Sequence, residues 1–200
     1  RQCGVVRQGL FVTTKLWNTE HGRLKARAAL TGSLDRLGLD QIDLYLIHWP
    51  LPMEDLYVDT WRALIELQGE GLIGSIGVSN HTQEQLVRLI EATGVVPAVN
   101  QIEMHPRFQQ HMLHEFHKQH GIVSQAWSPF GGGGTGEVPV LSEPVLIKIA
   151  AKHDCTVSQV ILRWLTQLGA SAIPKATSMK HLAENIGALA FDLDHADMVE

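Results

Sequence analysis

Asp43–Pro50, DLYLIHWP, is the stretch whose reading decides the fold. Leu44, Tyr45, Leu46, Ile47 and Trp49 make an almost unbroken apolar run. Such a run suits a strand covered on both faces, as a parallel sheet requires. His48 falls where that strand emerges at its carboxyl end, the end at which α/β folds handle ligands. Taken alone, a histidine there reads first as a satisfied core residue. Its meaning depends on what the other strand ends supply.

Upstream, Phe11–Trp17 (FVTTKLW) reads as a strand with Lys15 near its carboxyl end. The helical period of Ala26, Leu30, Leu34 and Leu37 follows over residues 22–37, stopped by Gly38. Downstream, a proline-containing loop leads to a helix carrying Val58, Trp61, Ile65 and Gln68 and ending at Gly69 and Gly71. Ile73–Asn80 is a glycine-rich strand, a sign of close backbone approach. Thr82 and Gln85 form a capping box for a helix with Leu86, Leu89 and Ile90 on its core face.

The pattern repeats through the strand Ala98–His105, a helix over 109–120 burying Leu113 and Phe116, and the strand Ile122–Trp127. Gly131–Gly136 reads as a flexible connection, with closure over a cofactor as the lesser alternative. Ser142 is placed to cap a helix to His153, and Thr156 with Gln159 forms a second capping box for a helix carrying Val160, Ile161, Trp164, Leu165 and Leu168. Ala172–Ala176 reads as a last strand, and Ser178 opens a helix with Leu182, Ile186 and Leu189. His111, His114, His117 and His120 recur every third residue; that spacing drifts around a helix, so a solvated face is expected rather than a metal site.

Strand and helix alternate throughout with short connections and no hairpins, which predicts an α/β domain with a parallel sheet. Strand starts recur every ~25–30 residues, as in a (β/α)8 TIM barrel. An open doubly wound sheet is the other option, but no G-x-G-x-x-G turn follows a strand. Six units are read where eight close a barrel. The expectation is therefore a single barrel domain over residues 1–200 whose first two βα units and C-terminal tail lie outside this chain. The opening on Arg1 and the stop at Glu200 inside a polar, helix-like run agree with that.

Composition narrows the function. Of the 200 residues, 44% are hydrophobic and 18% charged, a folded globular profile. A net charge of −5 with scattered basic residues gives no reason to expect nucleic acid or an anionic membrane as partner. Cys3 and Cys155 are too few for a disulfide framework or metal knuckle, so a reduced, cytoplasmic setting is expected. No apolar run approaches the ~18 residues of a membrane span, and no signal peptide is visible.

The strand ends offer Lys15, His48, Ser79 with Asn80, Gln101 with Glu103, Trp127 with Ser128, and Lys175. In a parallel barrel these share one rim. A lysine against low-dielectric walls perturbs its titratable neighbours, and a neutral histidine can donate a hydrogen bond to a substrate oxygen. Ser79, Asn80 and Gln101 suit a primary carboxamide, and Trp127 offers a flat face. Lys175 before a helix N-terminus suits a phosphate. Together these suit a nicotinamide nucleotide, though not that ligand alone.

The strings FVTTKLWN, DLYLIHWP, IGVSN, NQIEMHP, QAWSPF and IPKATSMKHLAENI resemble, in order and spacing over essentially the whole chain, the aldo-keto reductases. The nearest resemblance is to the bacterial 2,5-diketo-D-gluconate reductase branch, where tryptophan precedes Ser-Pro. The resemblance implies a (β/α)8 barrel reducing aldehydes or ketones with NAD(P)H, without metal or flavin. By it Lys15 and His48 belong to the catalytic set, Lys15 lowering the pKa of a tyrosine and His48 orienting the carbonyl. Ser79, Asn80 and Gln101 hold the carboxamide, and Trp127 with Ser128 borders the nicotinamide. Lys175, Ala176, Thr177, His181, Glu184 and Asn185 meet the adenosine phosphate end, and Trp17 and Trp49 wall the substrate pocket. The resemblance further implies a small-molecule carbonyl substrate and a monomer.

Three positions depart from the family pattern. The catalytic tyrosine and aspartate belong upstream of the lysine strand, and the tyrosines here, Tyr45 and Tyr57, match neither family position. Ala176 and His181 stand where NADP-preferring members carry a serine or threonine and an arginine, which predicts weakened NADPH preference with NADH as an alternative, Thr177 and Lys180 compensating in part. His81 replaces a common phenylalanine at the strand mouth and is given no role. Two rivals stand beside the reductase: a nicotinamide-nucleotide-binding module without chemistry, and an unstable fragment with exposed sheet edges.

Overall fold

The computed structural model describes residues 4–131 and 139–200. Cys3 and most of the glycine-rich Gly131–Gly136 stretch therefore lie outside the described residues. Among the described residues six strands alternate with eight α-helices, and strand order follows chain order. This is the parallel α/β arrangement expected of the barrel class. The chain divides into two compact units, Arg1–Asn100 with Phe116–Ile122, and Gln101–Glu115 with Val123–Glu200.

In the first unit β1 (Thr13–Leu16), β2 (Ile42–Ile47) and β3 (Ile73–Ser79) are parallel neighbours. Lys15 sits beside Leu46, and Leu46 beside Gly77. Strand alternation then sorts the side chains. Leu44 and Leu46 point to one face, where they cluster with Val99. Tyr45 and Ile47 point to the other and are fully buried. Gly77 makes the first packing close: a Cβ there would lie 2.7 Å from both Leu46 Cδ2 and the Val99 carbonyl oxygen. At the amino end of β2, Asp43 accepts from the Val12 amide and from Arg7. The Val12 bond, ahead of Arg7, holds its carboxyl below the usual range.

Three helices complete this unit: α1 (Arg23–Leu37), α2 (Tyr57–Gly69) and α3 (Gln83–Thr93). Gly38 closes α1 in the left-handed region, donating to Asp35 and Leu34 carbonyls. The buried stripe of α1 is Ala26, Leu30, Ser33 and Leu34; Leu37, assigned to it from sequence, is 44% exposed at the last turn. On α2 the buried set includes Trp61, Leu64 and Leu67, while Ile65 and Gln68 stand at its margin. Each fully buried leucine contributes roughly 1.5–3 kcal/mol. The Thr82–Gln85 capping box on α3 forms in both directions.

In the second unit β5 (Val123–Trp127) pairs in parallel with β6 (Ser171–Ala172), Gln125 beside Ser171. The last strand is thus two residues, not the five of Ala172–Ala176, because Pro174 offers no amide to continue a ladder. Its helices are α5 (Pro144–Lys152), α6 (Val157–Gln167), α7 (Met179–Gly187) and α8 (His195–Val199). The core gathers Ile102, Met104, Ala126, Ile149, Ile161 and Trp164. Thr156 and Gln159 form the second capping box. Ser142 does not cap: it ends a 3-10 turn, and α5 starts instead on Pro144, whose missing amide suits a first helical position. Leu182, Ile186 and Leu189, read as a helical period, are exposed.

β4 (Val99–Glu103) and α4 (His111–His120) each contribute residues to both units. The solvated face expected for the α4 histidines holds for His111 and His120 only. His114 is 7% exposed and meets Ser124 Oγ at 2.7 Å and the Leu168 carbonyl at 3.1 Å. His117 is fully buried, with the Asn100 amide 3.0 Å from its Nε2. Both share a face with the apolar stripe of Leu113 and Phe116, so they are satisfied core histidines. Among the described residues no cluster of His, Cys, Asp or Glu is arranged to hold a metal. No helix among them is long and apolar enough to cross a membrane.

Candidate active site

The register of the first unit puts the candidate catalytic residues on one face. Lys15 lies beside Leu46, two residues before His48; Ser79 lies two residues beyond Gly77 on the same side. Trp17, two residues past Lys15, brings its indole to 4.9 Å from the His48 imidazole, centroid to centroid. The Trp49 indole stands at 6.3 Å from the same imidazole. Both indoles are exposed, at 58% and 42%. His48 thus has two aromatic rings as neighbours at the strand end.

Lys15 is half-buried, and among the described residues its ammonium has no hydrogen-bonding or ionic partner. Burial lowers its pKa. Burial also lowers the His48 pKa, and the Lys15 charge pushes it the same way. His48 is therefore neutral at neutral pH. Its Nδ1 is buried and unpartnered among the described residues. A neutral imidazole with one N–H donor beside a cation stabilises negative charge growing on a carbonyl oxygen.

Asn80 fixes this corner. Its backbone adopts a left-handed φ of 61°, and its side-chain amide donates to the His48 carbonyl at 3.0 Å and to Ser79 Oγ at 3.1 Å. The end of β3 is thereby tied to the end of β2. His81, expected at an open strand mouth, is buried at 1% exposure. Its Nδ1 donates to the Ser79 carbonyl at 2.9 Å, and its backbone is bracketed by the Asn100 side chain. Burial pushes its pKa down to about 4, so it is a neutral structural group. Asn100, which joins His81 to His117, is a supporting residue the sequence reading missed, although it stands inside the NQIE string.

Neither tyrosine joins the face of Lys15 and His48. Tyr45 points to the opposite side of β2, where burial pushes its phenol up to about 12. Tyr57 begins α2, beneath the Arg88 guanidinium and edge-on to His81.

The second unit carries the other predicted contacts. Gln101 is buried, and its side-chain amide donates to Gln125 at 2.6 Å. Trp127, half-buried, ends β5, and Ser128 follows with a left-handed φ of 47°. Lys175, Ala176 and Thr177 form an irregular segment running into α7, with Lys175 and Thr177 exposed. Ser178 caps α7 by accepting from the His181 amide. His181, Glu184 and Asn185 share one face of that helix.

A sequence model of the Aldo/keto reductase family matches residues 3–200. The chain belongs to this family. It is 46% identical over 200 residues to methylglyoxal reductase DkgA of Escherichia coli K12, covering all of this chain and 71% of the relative. Identity to 2,5-diketo-D-gluconic acid reductase B of a Corynebacterium strain is 45% over 200 residues, with 70% of that relative covered. A crystal structure of a Gox0644 variant in complex with NADPH superposes with a TM-score of 0.91 at 48% identity, covering 96% of this chain and 69% of the other. The resemblance read from the sequence, including its 2,5-diketo-gluconate branch, is confirmed.

Proposed function

We propose that this protein reduces small aldehydes and ketones with NADPH by direct hydride transfer, NADH serving less well. The observation that carries the reading is the half-buried, unpaired Lys15 on the face of a neutral His48, whose imidazole neighbours the indoles of Trp17 and Trp49. His48 donates to the substrate oxygen, Lys15 stabilises negative charge beside it, and the two indoles orient the carbonyl compound and exclude water.

The chemistry of the donor set in each unit suits the cofactor. By the resemblance, Ser79, Asn80 and Gln101 would hold the carboxamide, exchanging the bonds from Asn80 to His48 and Ser79 and from Gln101 to Gln125 for bonds to it, and Trp127 would give a flat face for the ring. Exposed Lys175 before the capped N-terminus of α7 suits a phosphate, with Ala176, Thr177, His181, Glu184 and Asn185 bordering it. Bound NADPH would supply the hydride, and the tyrosine that the resemblance expects upstream of Lys15 would supply the proton that completes the alcohol. The substrate class follows relatives named for methylglyoxal and 2,5-diketo-D-gluconic acid. The two units are read as parts of one barrel domain acting as a monomer in the cytoplasm.

One observation favours a second reading, nucleotide binding without turnover by these 200 residues: neither Tyr45 nor Tyr57 stands on the Lys15–His48 face to donate a proton. The discriminating experiment is NADPH binding, followed by tryptophan fluorescence, alongside NADPH oxidation with methylglyoxal. Carbonyl-dependent oxidation that falls about 100-fold in His48→Gln supports the reductase. Binding without any carbonyl-dependent oxidation supports the second reading, and no binding at all defeats both.

A further inference from the structure

His21 lies in the loop between β1 and α1 and has no part in the contacts above. Only 3% exposed, it bonds at both ring nitrogens. Nε2 is 3.0 Å from the carbonyl oxygen of Trp49, and Nδ1 is 3.0 Å from Thr60 Oγ. Thr60, fully buried on α2, also lies 2.9 Å from the Gly22 amide and 2.8 Å from the Leu56 carbonyl.

These distances constrain the hydrogens. A carbonyl only accepts, so Nε2 must carry a hydrogen toward Trp49. The Gly22 amide donates to Thr60 Oγ, which has one hydrogen of its own to give. With a neutral imidazole that hydrogen goes to Nδ1. With an imidazolium, Nδ1–H donates to Oγ and the Thr60 hydrogen turns to Leu56. The bond to Trp49 is the same in both. Burial, against the opposing pull of the Trp49 carbonyl and Glu54, lowers the His21 pKa and makes the neutral arrangement the resting one.

We propose that His21 is a positioning residue for the carbonyl pocket, holding the Trp49 backbone so that its indole stands beside His48, with Thr60 bracing the ring at its other nitrogen. The Trp49 ring projects into solvent at the end of a strand, and two residues later Leu51 takes a left-handed φ of 43°. Such a wall needs an anchor in its backbone. Without the Thr60 hydroxyl, Nδ1 has no donor to accept from, and the imidazole keeps only its bond to the Trp49 carbonyl. Held at one nitrogen, the ring is free to rock, and its hold on the Trp49 backbone loosens. The inference rests on the reading of Trp49 as a substrate wall.

The test uses the full chain with 15N-labelled histidine and 5-fluorotryptophan, as unaltered protein and as Thr60→Val and Thr60→Ser. The unaltered protein should show His21 as a single neutral tautomer with hydrogen on Nε2. That measurement needs no variant, and finding the hydrogen on Nδ1 overturns the proposal. Thr60→Val should leave the hydrogen on Nε2, where the Trp49 carbonyl still requires it, but shift or broaden the Trp49 fluorine resonance and raise KM for methylglyoxal roughly tenfold with kcat held, the pattern of lost uniform binding. Thr60→Ser should restore both. An unmoved Trp49 resonance, or a fall in kcat with KM unchanged, overturns the proposal. If the unaltered protein oxidises no NADPH with any carbonyl, the reductase reading fails by itself, and the tautomer and fluorine spectra still decide the role of His21.

Discussion

Replacing Gly77 by alanine should destabilise the protein through one contact that cannot move aside. Gly77 lies on the inner face of β3, beside Leu46. An added Cβ would meet Leu46 Cδ2 and the Val99 carbonyl oxygen at 2.7 Å each, and Val99 Cβ at 3.3 Å. The leucine methyl can rotate away, but the carbonyl is strand backbone. Relieving the clash means pushing Val99 outward and opening the cluster it makes with Leu44 and Leu46. Overpacking of this kind costs about 1–3 kcal/mol. Stiffening the unfolded chain returns roughly 0.4–1 kcal/mol. With the middle of each range the net loss is about 1.3 kcal/mol, or roughly 3–5 °C in Tm at this size. Urea denaturation followed by circular dichroism measures it, with Gly94→Ala alongside. Gly94 sits at a φ of 71° with nothing within 4 Å of an added Cβ, so that variant reports backbone strain without a clash. A Gly77→Ala protein within about 0.5 kcal/mol of the original, a change typical of neutral surface substitutions, would refute the reasoning.

Three further outcomes are expected. His117→Leu leaves one hydrogen of the buried Asn100 amide without its acceptor, and should cost about 1–3 kcal/mol by the same denaturation measurement, whereas exposed His111→Leu should cost almost nothing. Burial alone would raise the Asp197 carboxyl, but hydrogen bonds from Lys152, His153 and the Asp194 amide bring it down to about 2 from 3.8. A depressed carboxyl stabilises above its unfolded pKa, so this contribution is complete near pH 5 and is lost as pH falls from about 4 toward 2; Asp197→Asn should flatten that part of the acid-denaturation curve. His181→Arg should shift the ratio of NADPH to NADH dissociation constants roughly tenfold toward NADPH, since a guanidinium adds a charge-assisted, bidentate phosphate contact; an unchanged ratio would show that this face of α7 does not meet the phosphate.

Much of this was legible in the sequence because it depends on neighbours along the chain. DLYLIHWP reads as a buried strand from its own apolar run, and both capping boxes follow from a spacing of three residues. The shared face of Lys15 and His48 follows from strand alternation once the pairing register is known. What the sequence hid depends on distant partners. His114 and His117 read as surface because nothing local announces Ser124 or Asn100 as their partners. His81 read as a mouth residue because its burial comes from Tyr57 and Asn100, far away in sequence. His21 drew no notice for the same reason: its partners Trp49 and Thr60 lie 28 and 39 residues on. Ser142 failed as a cap because Pro144 set the helix start two residues later. Leu182, Ile186 and Leu189 carry a helical period without burial in the structure.

The central claim is that Lys15 and His48 act as a pair, an unpaired cation beside a neutral imidazole. The most direct measurement is the NMR titration of His48 in the unaltered protein and in Lys15→Met. His48 should titrate below the ordinary histidine value of 6.5. Removing the Lys15 charge should move that titration upward, part of the way back, because burial remains. A His48 that titrates at or above the ordinary value, or that ignores the loss of Lys15, would contradict it.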